Sequence, residues 1–246
     1  MFEETDKRFE YMIELLSKHH DVDLDIVKKA YAKAKELHYY QKRKDGIPYI
    51  SHPVEVAIIL AELDFGEDAV CAALLHDTVE DCNYTIEQMK KDFNLKIANA
   101  VDAVTAIDKT QYIYNDENIF EDPNFVKSSA EEQTFKKLIS IGKNNPLGFY
   151  VKFADRLHNL RTIDTFEYSK QIEKVRETEK WILPIAKALK AQYFDIKIKN
   201  ECFKILNKIE GQNFFNQYDA YHKSNFKQVN YLLTKFKENF EMNSVR

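Results

Sequence analysis

The chain has 246 residues, of which 44% are hydrophobic and 31% charged, so it can bury a sizeable core and solvate its surface. Its net charge of -4 gives no electrostatic reason to expect nucleic-acid binding. Its three cysteines are widely separated and include no CxxC pair, so the sequence suggests neither a thiolate zinc site nor a disulfide framework. No apolar run approaches the roughly 18 residues of a membrane span, and the acidic start is unlike a signal peptide. We therefore expect a cytoplasmic protein that binds neither membranes nor nucleic acid.

Glycine and proline are scarce, with 5 of each, and this scarcity favours an all-α fold because tight turns between strands need both. Asp23 or Asp25 is a candidate N-cap for the first strongly periodic helix. Thr85, followed by Gln88 three residues later, is typical of a capping box. In chain order, the apolar spacing predicts helices at residues 23–40, 54–63, 69–81, 85–107, 130–142 and 149–163, with further amphipathic helices after residue 169.

Two stretches stand apart from this helical pattern. Residues 108–129 are polar and irregular, and a loop of this length in a compact domain is usually functional or disordered. Residues 201–246 are rich in aromatic side chains and Lys, and we expect them to form a helical C-terminal extension. We therefore predict one main domain at residues 1–200 and the extension at residues 201–246.

The stretch AALLHDTVEDC begins with apolar residues and then gathers His76, Asp77, Glu80 and Asp81. Residues four apart lie on nearly the same face of a helix, so His76 is expected beneath Glu80, and Asp77 beneath Asp81. Carboxylates crowded near a core repel each other and are costly to desolvate without a counter-charge. A divalent cation would supply that charge. The alternative is a solvated acidic helix end that contains a histidine by chance.

Two more segments favour the cation. His52 lies between two prolines, where a loop meets a helix, and Asp155 interrupts an apolar run that begins at Phe149. Asn159 lies four residues after Asp155 and therefore on the same helix face. Two imidazoles and two carboxylates without sulfur suit Mn²⁺, Fe²⁺ or a similar ion that keeps open positions for water and substrate.

Three motifs, RKDGIPYISHP, AALLHDTVED and VKFADRLHNLRT, occur in that order along the chain. Their H…HD…D set resembles the HD superfamily of metal-dependent phosphohydrolases. The longer motifs resemble the hydrolase domain of the RelA/SpoT alarmone enzymes, and the similarity continues through AEEQTFKKLI and KVRETEKWILPIAKAL. The resemblance spans roughly residues 25–189. It implies an all-α HD-domain helical bundle, here followed by the C-terminal extension.

The resemblance also implies roles for individual residues. It implies removal of the 3′-pyrophosphate from guanosine tetra- or pentaphosphate, which leaves GDP or GTP, with Mn²⁺ as the usual ion and Fe²⁺ or Zn²⁺ left open. For Arg161 a structural ion pair is an equally good interpretation. The implied metal ligands are His52, His76, Asp77 and Asp155; the implied catalytic pair is Glu80 and Asp81; and the implied substrate contacts are Arg43, Lys44, Tyr49, Asn159, Arg161 and Thr162.

The chain departs from the family pattern in two respects. No synthetase-like segment follows Leu189, so we expect a stand-alone small alarmone hydrolase. Whether it forms a homo-oligomer or binds an alarmone synthetase is left open by the sequence. Asp45 places an acid beside the basic pair, which leaves base selectivity open. Two alternatives therefore remain: an HD phosphohydrolase for another nucleotide (an adenosine alarmone, NADPH or a deoxynucleotide), and an antitoxin-like partner of a synthetase.

Overall fold

A computed structural model describes residues 2–18, 21–106 and 130–207. Within these ranges the chain is helical and contains no named strand, only an isolated antiparallel bridge between Lys42 and Pro48, so the all-α prediction is confirmed. No helix in this part of the chain combines the length and the apolar character needed to cross a bilayer. The helices are α1 Glu3–Leu16, α2 Leu24–Leu37, α3 Ser51–Ala61, α4 Glu67–Leu75, α5 Thr78–Asp81, α6 Ile86–Asp92, α7 Leu95–Val104, α8 Ala130–Gly142, α9 Leu147–Arg161, α10 Tyr168–Glu177, α11 Leu183–Ala188 and α12 Gln192–Asn207.

Polar side chains cap two helices at the positions that the sequence predicts. The Asp23 carboxylate accepts hydrogen bonds from the backbone N–H groups of Asp25 and Ile26 in the first turn of α2. Thr85 forms the predicted capping box with Gln88 at the start of α6. The prediction of one helix over residues 85–107 is wrong, because α6 ends at Asp92. Asn94 then caps α7 by accepting the Ile97 N–H at 2.9 Å. A side chain that accepts a hydrogen bond from the first N–H groups of a helix lowers the free-energy cost of starting a new helix.

Residues Met1–Lys152 form one compact unit. Its centre is the pair α3 and α4, which pack on each other while α1 covers α3 and α2 and α7 cover α4. Both central helices carry buried apolar residues, such as Ile58 on α3 and Leu74 on α4, on nearly every side, as expected of fully buried helices. Polar side chains at the ends of α3 and α4 are therefore held in the interior.

The second unit, Phe153–Arg246, begins within α9. Its helices α10 and α11 are joined by a π-helical turn, Thr178–Ile182, and α12 packs against both. Trp181, Phe153 and Phe194 are among its fully buried side chains. The rings of Phe153 and Phe194 lie 5.6 Å apart, centroid to centroid, which is within the range of favourable aromatic pairs.

A buried ion pair lies inside the second unit. The guanidinium of Arg156, which is only 6% exposed, donates to Glu177 and to the hydroxyl of Thr178, the latter at 3.1 Å. Burial alone would raise the pKa of Glu177, but Arg156 and Lys174 outweigh it and lower that pKa to about 2. The apolar spacing of the sequence gives no sign of this pair.

The division into residues 1–200 and 201–246 stays a prediction. The aromatic residues that we expected in the extension, Phe214, Phe215, Tyr218 and Tyr221, lie outside the described residues. So does the irregular segment at residues 108–129.

Candidate metal and nucleotide site

The helix predicted over residues 69–81 is interrupted at the HD dipeptide. α4 ends at Leu75, and His76 and Asp77 form a turn before α5 begins at Thr78. The Thr78 hydroxyl donates to the Leu75 carbonyl at 2.7 Å, which satisfies a helix-terminal acceptor. The expectation that a continuous helix stacks His76 beneath Glu80 is therefore wrong. The two residues of the dipeptide instead project from a turn at the buried end of α4.

Two imidazoles face each other at the ends of α3 and α4. His52 and His76 are 3% and 4% exposed, and their ring centroids lie 5.2 Å apart. Nδ1 of His76 lies 2.7 Å from the carbonyl oxygen of Ala73, so Nδ1 carries the proton in this bond. A proton fixed on Nδ1 places the lone pair on Nε2, which is the arrangement found in metal-binding histidines.

The carboxylate of Asp77 lies against both imidazoles. Its Oδ1 is 3.2 Å from Nε2 of His76, and its Oδ2 is 3.7 Å from Nε2 of His52. Ligand atoms about 2.0–2.2 Å from one ion lie roughly 3–3.5 Å apart at adjacent positions. The Tyr49 hydroxyl donates to Oδ2 of Asp77 at 2.8 Å and so fixes the carboxylate from the side. The spacing of these atoms therefore suits a shared cation.

Asp155 is the candidate ligand on α9 and lies in the second unit. It is 7% exposed and accepts a hydrogen bond from the side-chain amide of Asn159, one helical turn further along α9. Imidazole nitrogen and carboxylate oxygen are donors that suit divalent transition metals, so the residue types of His52, His76, Asp77 and Asp155 fit such an ion.

Glu80 and Asp81 follow the dipeptide on α5, and both are exposed. The surrounding protein still removes water from their carboxyl groups, and this desolvation raises the pKa of each above its ordinary value. A hydrogen bond from the backbone N–H of Ala106 opposes the shift of Glu80 only in part. Negative charge on Asp77 raises both pKa values further. Both groups are thus reachable carboxylates whose affinity for a proton is increased.

The basic pair lies in a short hairpin that precedes α3. The Arg43 N–H donates to the Ile47 carbonyl at 2.9 Å, and Gly46 adopts φ +86°, a conformation that a side chain would disfavour. Asp45 accepts the Ile47 N–H at 3.0 Å, so its carboxylate stabilises the turn. Arg43 is half-buried and Lys44 exposed. Asp45, for which the sequence left the effect on base selectivity open, therefore has a structural role in the turn.

The remaining predicted substrate contacts lie at or just after the end of α9. Asn159 and Arg161 are exposed. Thr162, which is half-buried, donates its hydroxyl to the carbonyl of His158 at 3.1 Å. Of these three, Asn159 is joined to the candidate ligands by its bond to Asp155.

Sequence reasoning missed the polar support behind the site. Gln41, at the start of the hairpin, bonds to His38 and to the main chain of Asp81. His38 is completely buried, and its bond to Gln41 gives its ring a polar partner. No spacing rule connects Gln41 with a residue forty positions later, so the sequence carried no signal for that contact.

Known proteins resemble this chain over the same motifs. Residues 30–190 match the HD domain family. A probable GTP pyrophosphokinase of Mycobacterium leprae is 37% identical over 185 residues, which cover 75% of this chain and 22% of that protein. A guanosine-3′,5′-bis(diphosphate) 3′-pyrophosphohydrolase of Aquifex aeolicus is 34% identical over 194 residues, which cover 79% of this chain and 26% of that protein.

A solved structure shares the fold. It is described as a metazoan ortholog of SpoT that hydrolyses ppGpp, and it aligns with a TM-score of 0.58 at 21% identity, covering 73% of this chain and 94% of that one. The chain spans about a quarter of the length of the curated relatives quoted above. The family match at residues 30–190 includes the hairpin, the HD dipeptide and the whole of α9. Because that match covers more than half of the chain, the chain belongs to the HD domain family, as its motifs predict.

Proposed function

We propose that this protein hydrolyses the 3′-pyrophosphate of guanosine tetra- and pentaphosphate, producing GDP or GTP and pyrophosphate, with one divalent ion bound by His52, His76, Asp77 and Asp155. The observation that carries the proposal is the approach of the Asp77 carboxylate to both buried imidazoles, with Oδ1 3.2 Å from Nε2 of His76 and Oδ2 3.7 Å from Nε2 of His52. The reaction for which the Aquifex aeolicus relative is named supports the choice of substrate.

Mn²⁺ is the ion that we propose, with Fe²⁺ and Zn²⁺ as competitors in a loading experiment. Two nitrogen and two oxygen donors without sulfur suit Mn²⁺ and Fe²⁺ better than a closed structural zinc site. When bound, the ion would lower the pKa of a water molecule and polarise a phosphoryl oxygen. The fixed tautomer of His76 supports such binding, because the lone pair on Nε2 is already in place.

Glu80 or Asp81 would accept the proton that the attacking water loses. The raised pKa values of both carboxyl groups support this role, because a general base works best when its pKa approaches the operating pH. The water oxygen would form a bond to the phosphorus that is attached to the ribose 3′-oxygen, and the bond between that phosphorus and the 3′-oxygen would break. The 3′-oxygen would leave as part of GDP or GTP and take up a proton from solvent, and the water oxygen would leave as part of pyrophosphate. Tyr49 would hold Asp77 in place during this step through its hydroxyl bond.

The hairpin would bind the charged end of the substrate. Arg43 can pair with two phosphate oxygens at once, and its planar guanidinium can stack on a base, whereas Lys44 acts as a point charge. Their position in the turn that leads into Tyr49 supports this assignment. Asn159, Arg161 and Thr162 would contact the nucleoside.

Location and partners follow from this proposal. A nucleotide substrate is consistent with a cytoplasmic protein, and we place the protein there. A homo-oligomer and a complex with an alarmone synthetase both remain proposals. The antitoxin alternative depends on the extension at residues 201–246, of which residues 208–246 lie outside the described part of the chain.

Turnover by the purified full chain tests the proposal. After removal of metal with a chelator, the protein is reloaded with Mn²⁺, Fe²⁺ or Zn²⁺, and its metal content is measured. Guanosine tetraphosphate is then added, and GDP and pyrophosphate are quantified. We expect equal amounts of both products with Mn²⁺ and none without metal. Metal-loaded protein that leaves guanosine tetraphosphate intact would overturn the proposal.

The same assay distinguishes the second candidate substrate class. An adenosine 3′-pyrophosphate analogue, NADPH and deoxynucleotides are offered at equal concentration to the Mn²⁺-loaded protein. Because the Asp45 carboxylate is engaged in the hairpin turn, we expect the guanosine compound to be preferred. A higher kcat/KM for any other nucleotide would show that this nucleotide, and not the guanosine compound, is the preferred substrate.

A further inference from the structure

We infer that Gln41 and His38 are positioning residues of the metal site, which act by holding Tyr49 so that its hydroxyl orients Asp77. The inference rests on the proposed function in one respect only, namely that Asp77 is a metal ligand. It assigns a role to two residues that the sequence motifs leave without one, and it treats Tyr49 as a support of the metal site in addition to a wall of the substrate pocket.

The side-chain amide of Gln41 is hydrogen-bonded at both ends. Its Nε2 donates to the carbonyl oxygen of Asp81 at 3.0 Å, which leaves its Oε1 as the acceptor for Nδ1 of His38 at 2.7 Å. Both ends of the amide are therefore engaged, and this fixes the orientation of the amide and places the proton of His38 on Nδ1. Gln41 thus links His38, at the C-terminal end of α2, to the segment that carries Glu80 and Asp81.

Gln41 and His38 both contact Tyr49. The backbone N–H of Tyr49 donates to the carbonyl of Gln41 at 3.0 Å. The ring of His38, which is completely buried, stacks on the ring of Tyr49 with centroids 4.9 Å apart. Tyr49 is therefore held at its backbone by Gln41 and on its ring face by His38. Burial lowers the pKa of His38, which is consistent with a neutral ring that stacks on a phenol.

Tyr49 contacts the proposed metal ligand Asp77. Its hydroxyl donates to Oδ2 of Asp77 at 2.8 Å, and Asp77 in turn lies 3.2 Å from Nε2 of His76. A donor that occupies one lone pair of a carboxylate restricts the rotation of that group and so prepares it to bind. Loss of such an outer partner typically lowers metal affinity or activity by about 10–100-fold.

The test measures the affinity of the metal-free full chain for Mn²⁺ alone, by calorimetry. Tyr49→Phe keeps the ring and removes only the hydroxyl, and Gln41→Leu keeps the approximate volume and removes both side-chain hydrogen bonds. Tyr40→Ala is the matched control, because Tyr40 adjoins Gln41 and is 92% exposed. We expect Mn²⁺ affinity to fall about tenfold for each site variant and to change less than about twofold for the control.

A double variant tests whether Gln41 acts through Tyr49. If it does, adding Gln41→Leu to Tyr49→Phe should lower Mn²⁺ affinity by less than about twofold more, because the hydroxyl contact is already absent. Independent, multiplying losses would overturn the inference, as would a Tyr49→Phe variant that binds Mn²⁺ like the wild type. Should Gln41→Leu fail to fold, His38→Phe takes its place, because it keeps a stacking ring and removes the Nδ1 donor.

Failure of the proposed function gives a different result. If the wild type binds Mn²⁺, Tyr49→Phe weakens binding, and guanosine tetraphosphate is not hydrolysed, the inference stands and the proposed reaction is wrong. If the wild type binds no Mn²⁺, both are overturned.

Discussion

Two regions of this protein bury charge-bearing side chains, and they do so in opposite ways. Around His76, a nitrogen lone pair and the oxygen of Asp77 face each other at 3.2 Å, so one acceptor meets another. Inside the second unit, the guanidinium of Arg156 meets the carboxylate of Glu177, so a donor meets an acceptor. The first arrangement favours an added cation, whereas the second is neutralised within the chain.

This difference separates a binding site from a structural contact. Acceptors held close together repel each other until a cation lies between them, so their free energy falls when one binds. A matched ion pair gains nothing from a ligand but loses heavily when one partner is removed. The two regions should therefore respond differently to substitution, metal and pH.

The largest effect is expected from Asp77→Asn. The neutral amide removes one anionic ligand, so Mn²⁺ affinity should fall at least about 100-fold and turnover should fall further. Metal-free protein should keep its melting temperature, while the rise that Mn²⁺ produces in the wild type through preferential binding to the folded state should disappear. Thermal melts with and without Mn²⁺ measure both. If Mn²⁺ raised the melting temperature of Asp77→Asn as much as that of the wild type, Asp77 would not be a metal ligand.

Glu80→Gln should lower kcat by about 100- to 10,000-fold and leave Mn²⁺ affinity nearly unchanged, because it removes a general base rather than a ligand. The pKa of Glu80 is raised, so the wild-type rate should fall as the pH drops through that value and protonates the base. The variant should lack this acidic limb. Glu87→Gln, on the exposed side of α6, is the control. Full activity in Glu80→Gln together with inactive Asp81→Asn would assign the base to Asp81.

Glu177→Ala should lower the free energy of unfolding by about 3–5 kcal/mol, because the Arg156 charge stays buried without its partner. Glu173 is the matched control on the same helix, since its pair with Lys170 is exposed and its removal should leave the free energy of unfolding nearly unchanged. Urea denaturation of the metal-free proteins gives both values. Equal effects of the two substitutions would contradict a distinct role for the buried pair.

The smallest effect concerns pH. The pKa of Glu177 is about 2 in the folded protein against an ordinary value of 4.5, so its stabilising contribution is complete above pH 4.5 and is lost as the pH falls toward 2. Between pH 6 and pH 3 the wild type should lose about 2 kcal/mol more than Glu177→Gln. Denaturation curves of both proteins at several pH values measure the difference. Parallel pH dependence would show that the pair contributes little.

The sequence by itself determined the helical class and the family, and it predicted the site residues. Helical periodicity and caps depend on neighbours within a few positions, and for this reason Asp23 and the Thr85–Gln88 box were predicted correctly. The motifs around His52, His76 and Asp155 indicated an HD domain, which the match at residues 30–190 confirms. These conclusions need only the order and spacing of residues along the chain.

Only the tertiary structure decided how those residues meet. The end of α4 at Leu75, the turn role of Asp45 and the contact from Gln41 to the main chain of Asp81 have no counterpart in a periodicity rule. The Arg156–Glu177 pair is likewise invisible in apolar spacing, because its two residues belong to different helices. Hydrogen bonds and ion pairs between distant segments depend on packing that brings donors to acceptors, and a one-dimensional pattern does not contain that information.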